Sequence, residues 1–150
     1  MSERIAVIGL GYVGLPVALA FARTFPQTLG FDIDSAKVAA LRRGQDRSGE
    51  ISSNTLQSSS LLLTDDPAAL TESTFFVIAV PTPIDSNNRP DLRPLIQASE
   101  TIGRVLPRGA VVVSSSPDRG GWSFRERVMP FSSLYGFQVT RVRPGDKNRR

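Results

Sequence analysis

Residues 5 to 16 read IAVIGLGYVGLP, and residues 27 to 34 read QTLGFDID. The apolar run Ile5 to Ile8 leads directly into Gly9, Gly11 and Gly14, spaced G-x-G-x-x-G. An apolar-periodic stretch follows, and then a second apolar run ending in Asp32, 18 residues beyond the third glycine. That order reads as a strand, a tight glycine turn, a helix and a second strand with a carboxylate at its tip, which is the arrangement that grips a dinucleotide. Gly9 allows the turn out of the strand. Gly11 lets the backbone approach a pyrophosphate, and a β-branched residue there is expected to strain the turn. Gly14 lets the helix pack close to the sheet, and the helix N-terminus offers N–H groups and the positive end of its dipole to the phosphates. Asp32 would accept hydrogen bonds from both ribose hydroxyls and repel a 2′-phosphate. Ile33 and Asp34 follow it, so no arginine is placed there to welcome one, and NAD is expected over NADP.

Outward from this segment the chain alternates between strand and helix signals. The first strand is expected over about 4–9 and the first helix over 12–24, with Val13, Val17, Ala20, Phe21 and Phe25 on one face. A second strand, 28–32, is followed by a helix capped by Asp34 or Ser35 and ended by Gly44. Residues 45–60 are polar and serine-rich and read as a connection with about one helical turn. Leu61–Leu63 is a short third strand, and Asp65 or Asp66 caps a short helix that begins at Pro67. Phe75–Val80 is a continuous apolar run, which predicts a strand buried on both faces of a parallel sheet. After Pro81, Thr82 and Pro83 the next helix carries Leu92, Leu95, Ile96, Ser99, Ile102, Gly103 and Leu106 as a stripe, and Ala110–Val113 is a fifth strand. The fold class is therefore α/β, a Rossmann-like doubly wound parallel sheet with strand order 3-2-1-4-5, incomplete at its C-terminal end, and with its ligand at the carboxyl ends of strands 1 and 4.

Composition narrows the chemistry. The 150 residues include no Cys and no His, which removes the thiol nucleophile, the thiolate metal site and the commonest general base. No apolar run approaches the ~20 residues of a membrane span, and the N-terminus has no signal-peptide pattern, so a cytoplasmic location is the expectation. The net charge of +4 is unevenly spread. Residues 1–113 carry 10 Lys and Arg against 11 Asp and Glu, whereas residues 114–150 carry 8 against 3. A nucleic-acid reading would rest on this tail alone, where Trp122, Phe124, Phe131, Tyr135 and Phe137 interleave with arginines. An accidental or poorly ordered sequence explains the tail more simply, and nucleic acid is not the expected partner.

Beyond the glycine turn, GLGYVGLP at 9–16, AVPTPI at 79–84 and RPDLRPLIQASETIGRVL at 89–106 resemble the UDP-glucose/GDP-mannose dehydrogenase family. The last stretch, with PGDKNRR at 144–150, is most similar to the branch acting on UDP-N-acetylhexosamines, which includes Vi polysaccharide synthesis. The resemblance implies an NAD-dependent oxidoreductase that converts a sugar C6 alcohol to a carboxylate in two hydride transfers, for polysaccharide precursors. It implies a basic residue at Lys37 reaching the adenosine side of the cofactor, and Thr82 near the nicotinamide ribose. The candidate cofactor-binding residues are thus Gly9, Gly11, Tyr12, Val13, Gly14, Asp32, Lys37 and Thr82, with no catalytic and no metal-ligating residue assigned.

The departures also carry weight. The family continues after the fifth strand with Glu-Ser-Thr and a Pro-Gly turn, where this chain has Ser114-Ser115-Ser116-Pro117-Asp118. The family's nucleophilic cysteine, catalytic lysine and sugar-binding half are expected beyond residue 150. The chain is therefore read as an NAD-binding domain over 1–113 and a divergent basic tail over 114–150, which would not oxidise a sugar alone and would self-associate through an exposed sheet edge. A non-catalytic NAD- or nucleotide-binding module is the alternative. The match breaks at residue 114 and resumes at Pro144, the pattern left by translation in another reading frame. Translating the DNA for 114–143 in its other two frames should recover the Glu-Ser-Thr and Pro-Gly pattern, and its absence from both would end the idea.

Overall fold

A computed structural model describes residues 3–81, 83–89, 91–115 and 137–141. The chain forms β1 (Ile5–Ile8), α1 (Gly14–Thr24), β2 (Leu29–Phe31), α2 (Ser35–Arg42), α3 (Ser53–Ser58), β3 (Leu62–Thr64), a 3-10 helix (Pro67–Glu72), β4 (Phe75–Ile78), α4 (Arg93–Val105), β5 (Val111–Ser115) and β6 (Phe137–Arg141). The strands make one sheet in the order β3-β2-β1-β4-β5-β6. The first five are parallel in the expected 3-2-1-4-5 order, with Val7 opposite Gly30 on one side and Val77 on the other. The order reverses beside β1, so the carboxyl ends of β1 and β4 flank the crevice where α/β sheets bind ligands.

Three local expectations are met by specific contacts. Asp34 caps α2 by accepting from the Lys37 N–H at 3.1 Å. Asp66 caps the 3-10 helix through the Ala68 N–H at 2.9 Å. Gly44 ends α2 with φ +78°, a left-handed conformation that glycine adopts without a Cβ penalty.

The core has two faces. Ile5, Val7 and Val77 point to α1 and pack with Leu15, Ala18, Leu19 and Leu41. Ala6, Ile8, Phe76 and Ile78 point the other way and pack with Leu70, Ala98 and Ile102. Phe76 is fully buried, and such a side chain contributes ~1.5–3 kcal/mol through the apolar surface it removes from water.

Both helix stripes are borne out in part: Val17, Phe21 and Phe25 of the first and Leu95, Ile102 and Leu106 of the second lie against the core. On α1 the buried residues are Gly14, Leu15, Ala18, Leu19 and Ala22, while Val17 and Phe21 are only half-buried and Val13 and Ala20 are exposed. The contact line runs through Gly14, Ala18 and Ala22 at four-residue spacing, because small residues bring the helix against the sheet where Gly14 touches the turn. On α4 the buried residues are Ala98 and Ile102, and Ile96, Ser99 and Gly103 face outward.

The expected bare edge of β5 is also corrected. β6 pairs with it antiparallel, from Val111 opposite Arg141 to Ser115 opposite Phe137. Phe137, Val139 and Thr140 favour a strand, a local signal that the tail's charge obscures. The interleaved Trp122, Phe124, Phe131 and Tyr135, and the rest of the expected tail over 116–136 and 142–150, lie outside the described residues.

The three glycines of the turn answer to different constraints. Gly9 has φ +95°, and a Cβ there would stand 2.9 Å from the Ala79 carbonyl oxygen and 3.0 Å from Val80 Cα. A Cβ on Gly14 would stand 1.6 Å from the Gly9 carbonyl oxygen. Gly11 is different: a Cβ there meets nothing within 4 Å, and its φ is not among the positive ones. The expected strain at Gly11 is therefore absent, and the turn has room for a side chain in the space it faces. Gly14→Ala should cost about 3 kcal/mol or more, since a backbone carbonyl cannot yield as a flexible side chain does. Gly11→Val should stay within about 0.5 kcal/mol of the unaltered chain. Urea denaturation of both variants checks this, and equal destabilisation would contradict the open space over Gly11.

Candidate functional site

The ends of β1 and β2 are joined through one carboxylate. Asp32 closes β2 with only 6% of its surface exposed. Its Oδ2 accepts from the Leu10 N–H at 2.9 Å and from Lys37 Nζ at 3.2 Å, and its Oδ1 accepts from the Asp34 N–H at 2.9 Å. The neighbouring backbone is tied in as well, with the Gly9 N–H donating to the Phe31 carbonyl at 2.8 Å and the Asp32 N–H to the Thr64 carbonyl at 3.2 Å. A buried carboxylate needs such donors, because an unpaired charge at that depth would be costly. A carboxylate has roughly four acceptor sites, so three donors leave Oδ1 able to take one more.

Lys37 stands in the first turn of α2 with its side chain 33% exposed, half in the cleft and half in water. The sequence named Asp32 and Lys37 separately, and the structure joins them as an ion pair. Tyr12 and Val13 protrude from the turn, Tyr12 being 70% exposed. No side chain caps α1, so the positive end of its dipole opens beside Gly11. Gly9, Gly11, Tyr12, Val13, Gly14, Asp32 and Lys37 thus gather at one end of the sheet. Thr82 falls outside the described residues.

On the β4 side the chain leaves the sheet at Val80 and Pro81 and returns through a stapled turn. Asp85 Oδ1 accepts from the Asn87 N–H at 2.8 Å and the Arg89 N–H at 2.9 Å, and the Asp91 N–H donates to the Pro83 carbonyl at 2.7 Å. The Arg93 side chain and N–H hold the half-buried Asp91 carboxyl down at about 2.

A third wall was not read from the sequence. A cleft beside Gly11 and Lys37 is lined on its far side by Asp46, Arg47 and Ser48, which follow α2. Burial pushes the Asp46 carboxyl up. Hydrogen bonds from the Ser48 hydroxyl and from the N–H groups of Ile51, Ser48 and Glu50 outweigh that, leaving its pKa below the usual carboxylate value. The exposed Tyr12 hydroxyl faces the Glu50 carboxylate, and that hydrogen bond and negative charge raise the phenol's pKa. The only sequence signal was Asp46-x-Ser48, an Asx-turn pattern in a stretch read as polar connection.

The donor set and the space suit a dinucleotide. The region over Gly11 is open, the helix end carries positive potential, and a carboxylate with spare acceptor capacity stands at the β2 tip. Among the described residues no group of three or more His, Cys, Asp or Glu could hold a metal ion, and no helix is long and apolar enough to cross a membrane.

Known proteins resemble this chain in sequence and fold. Residues 3–119 match the NAD-binding domain of the UDP-glucose/GDP-mannose dehydrogenase family. The UDP-N-acetyl-D-glucosamine 6-dehydrogenases of Salmonella typhi and Pseudomonas aeruginosa are each 39% identical, over 98% of this chain and 37% of their own length. The UDP-D-ManNAc dehydrogenase of Pyrococcus horikoshii superposes with a TM-score of 0.68 at 37% identity, over 76% of this chain and 28% of that one. A ternary complex of GDP-mannose dehydrogenase from Pseudomonas aeruginosa gives a TM-score of 0.67 at 28% identity, over 76% and 29%. The chain thus spans a little over a third of the length of the curated relatives it matches. With a family match over 117 of 150 residues on a sheet of the expected order, the chain belongs to the UDP-glucose/GDP-mannose dehydrogenase family and carries its NAD-binding domain.

Proposed function

We propose that this chain is the NAD half-site of a nucleotide-sugar 6-dehydrogenase, which takes the C6 alcohol of a UDP-sugar to a uronate for polysaccharide precursors. The observation that carries the cofactor reading is the buried Asp32 carboxylate, one acceptor site short of full, beside an open Gly11. In this reading Asp32 takes an adenosine ribose hydroxyl at Oδ1, and the second where Lys37 yields its place on Oδ2, with Lys37 screening the carboxylate's charge. Gly9, Gly11 and Gly14, with the backbone of Tyr12 and Val13, bring the start of α1 to the pyrophosphate. Thr82, in the Pro-Thr-Pro break after β4, meets the nicotinamide ribose. When bound, NAD supplies the hydride acceptor for each of the two oxidations. The UDP-N-acetylhexosamine relatives support an amino-sugar nucleotide as the substrate class. An NAD-binding module without chemistry describes the isolated chain, because the second oxidation needs a thiol to hold the aldehyde and there is no cysteine among the 150 residues. The domain boundary near 113 and action in the cytoplasm belong to the same proposal.

NAD should bind the purified chain more tightly than NADP, because Asp32 repels a 2′-phosphate. Asp32→Ala should weaken NAD by ~1–3 kcal/mol, the range for losing a charged hydrogen-bond partner, and should narrow the preference. Calorimetric titration with both cofactors measures this, and equal affinities in the unaltered chain would sink the assignment of Asp32.

The 150-residue chain alone should form no NADH with UDP-glucose, UDP-N-acetylglucosamine or UDP-N-acetylgalactosamine. Holding C6 against the nicotinamide is worth ~7–11 kcal/mol of barrier, and no sugar-holding residues are assigned here. Sustained NADH absorbance from the pure chain would refute this.

A further inference from the structure

We propose that the loop Asp46–Glu50 is a working wall of the adenosine half of the dinucleotide site and presents Arg47 to the bound cofactor. The proposal rests on the NAD reading of the same crevice and adds a segment to it. Three observations carry it. The loop shares one cleft with Gly11 and Lys37, so an adenosine seated at Asp32 would have Lys37 on one side and Arg47 on the other.

The loop also has a fixed shape. One carboxylate, Asp46, accepts from the Ser48 N–H at 3.0 Å, the Glu50 N–H at 3.1 Å and the Ile51 N–H at 2.9 Å, and from the Ser48 hydroxyl at 2.7 and 2.8 Å. Gly49, with φ +72°, closes the bend. Fixing an exposed polar loop costs chain entropy and returns little to the core, where only Ile51 packs. A loop held at that cost beside an open crevice is preorganised for what enters it.

The third observation is charge. The Asp46 carboxylate is consumed by its own loop and Asp32 is matched by Lys37, which leaves Arg47 as the uncommitted charge of the cleft wall. A cation there complements the electron-rich ribose oxygens and the adjoining phosphate.

The test uses the full 150-residue chain, with calorimetric titration of NAD and of ADP-ribose, which keeps the adenosine half and lacks nicotinamide. Arg47→Ala should weaken both ligands about 2–10-fold, the range one exposed polar contact supplies, while Arg47→Lys retains most of the affinity, a charge rescue that a merely structural role would not show. Thermal melts should be unchanged in both variants, because Arg47 is exposed. Absence of NAD binding by the unaltered chain would overturn the NAD reading and this proposal together. Binding by the unaltered chain, with ADP-ribose affinity unchanged in the variants, would overturn the loop's role alone. Affinity lost only in step with melting temperature would overturn it as well, reducing the loop to a structural element.

Discussion

The carbonyl of Gly9 occupies the place where a β-carbon on Gly14 would stand, 1.6 Å away. That single contact sets how close α1 can come to β1 and at what rotation. The remainder of the helix follows from it. Once Gly14 is against the turn, Ala18 and Ala22 fall on the same line one and two turns later, and Leu15 and Leu19 fill the space beside them. The same contact aims the uncapped start of α1 over Gly11. Packing and site geometry are therefore one constraint, and no substitution at Gly14 can relax one without disturbing the other.

Asp32 is the second fixed point, and it already has partners when nothing is bound. Its carboxylate ties the turn through Leu10, the start of α2 through Asp34, and a cation through Lys37. The arrangement keeps a buried charge paired in the free protein. In the proposed reading a ribose hydroxyl would enter an existing network, and its gain would be one more hydrogen bond at Oδ1. That would favour discrimination over raw affinity, because a 2′-phosphate would have to meet a carboxylate that its lysine only partly screens.

Much of this was legible in the sequence because it depends on residues whose backbone behaviour is distinctive. The glycine spacing, the acid at the tip of the second strand and the Asp34, Asp66 and Gly44 caps are local signals, and each appears where the local chemistry puts it. The strand order followed from the strand–helix alternation read together with the dinucleotide-binding motif that opens it. What failed were readings that depend on tertiary rotation. The α1 face was taken from its bulkiest residues, and Val17, Phe21 and Phe25 do pack on the core, but Gly14, Ala18 and Ala22 make the closest line. On α4 Ile102 is buried as read, Ala98 joins it, and Ile96 is exposed. The strand Phe137–Arg141 was hidden by the charge of its surroundings. The Asp46 loop was missed because its meaning lies in what it stands beside, and serine-rich polarity gives no hint of that.

The division of the site bears on what the domain can accomplish. In the proposed reading the turn, Asp32, Lys37 and the Asp46 loop would all meet the adenosine side of the cofactor. Binding energy gathered there would accelerate a reaction only when coupled to placement of substrate and nicotinamide at the other end of the cofactor. On that reading a chain without a thiol would bind the cofactor without turning it over, and adenosine recognition would serve as a handle.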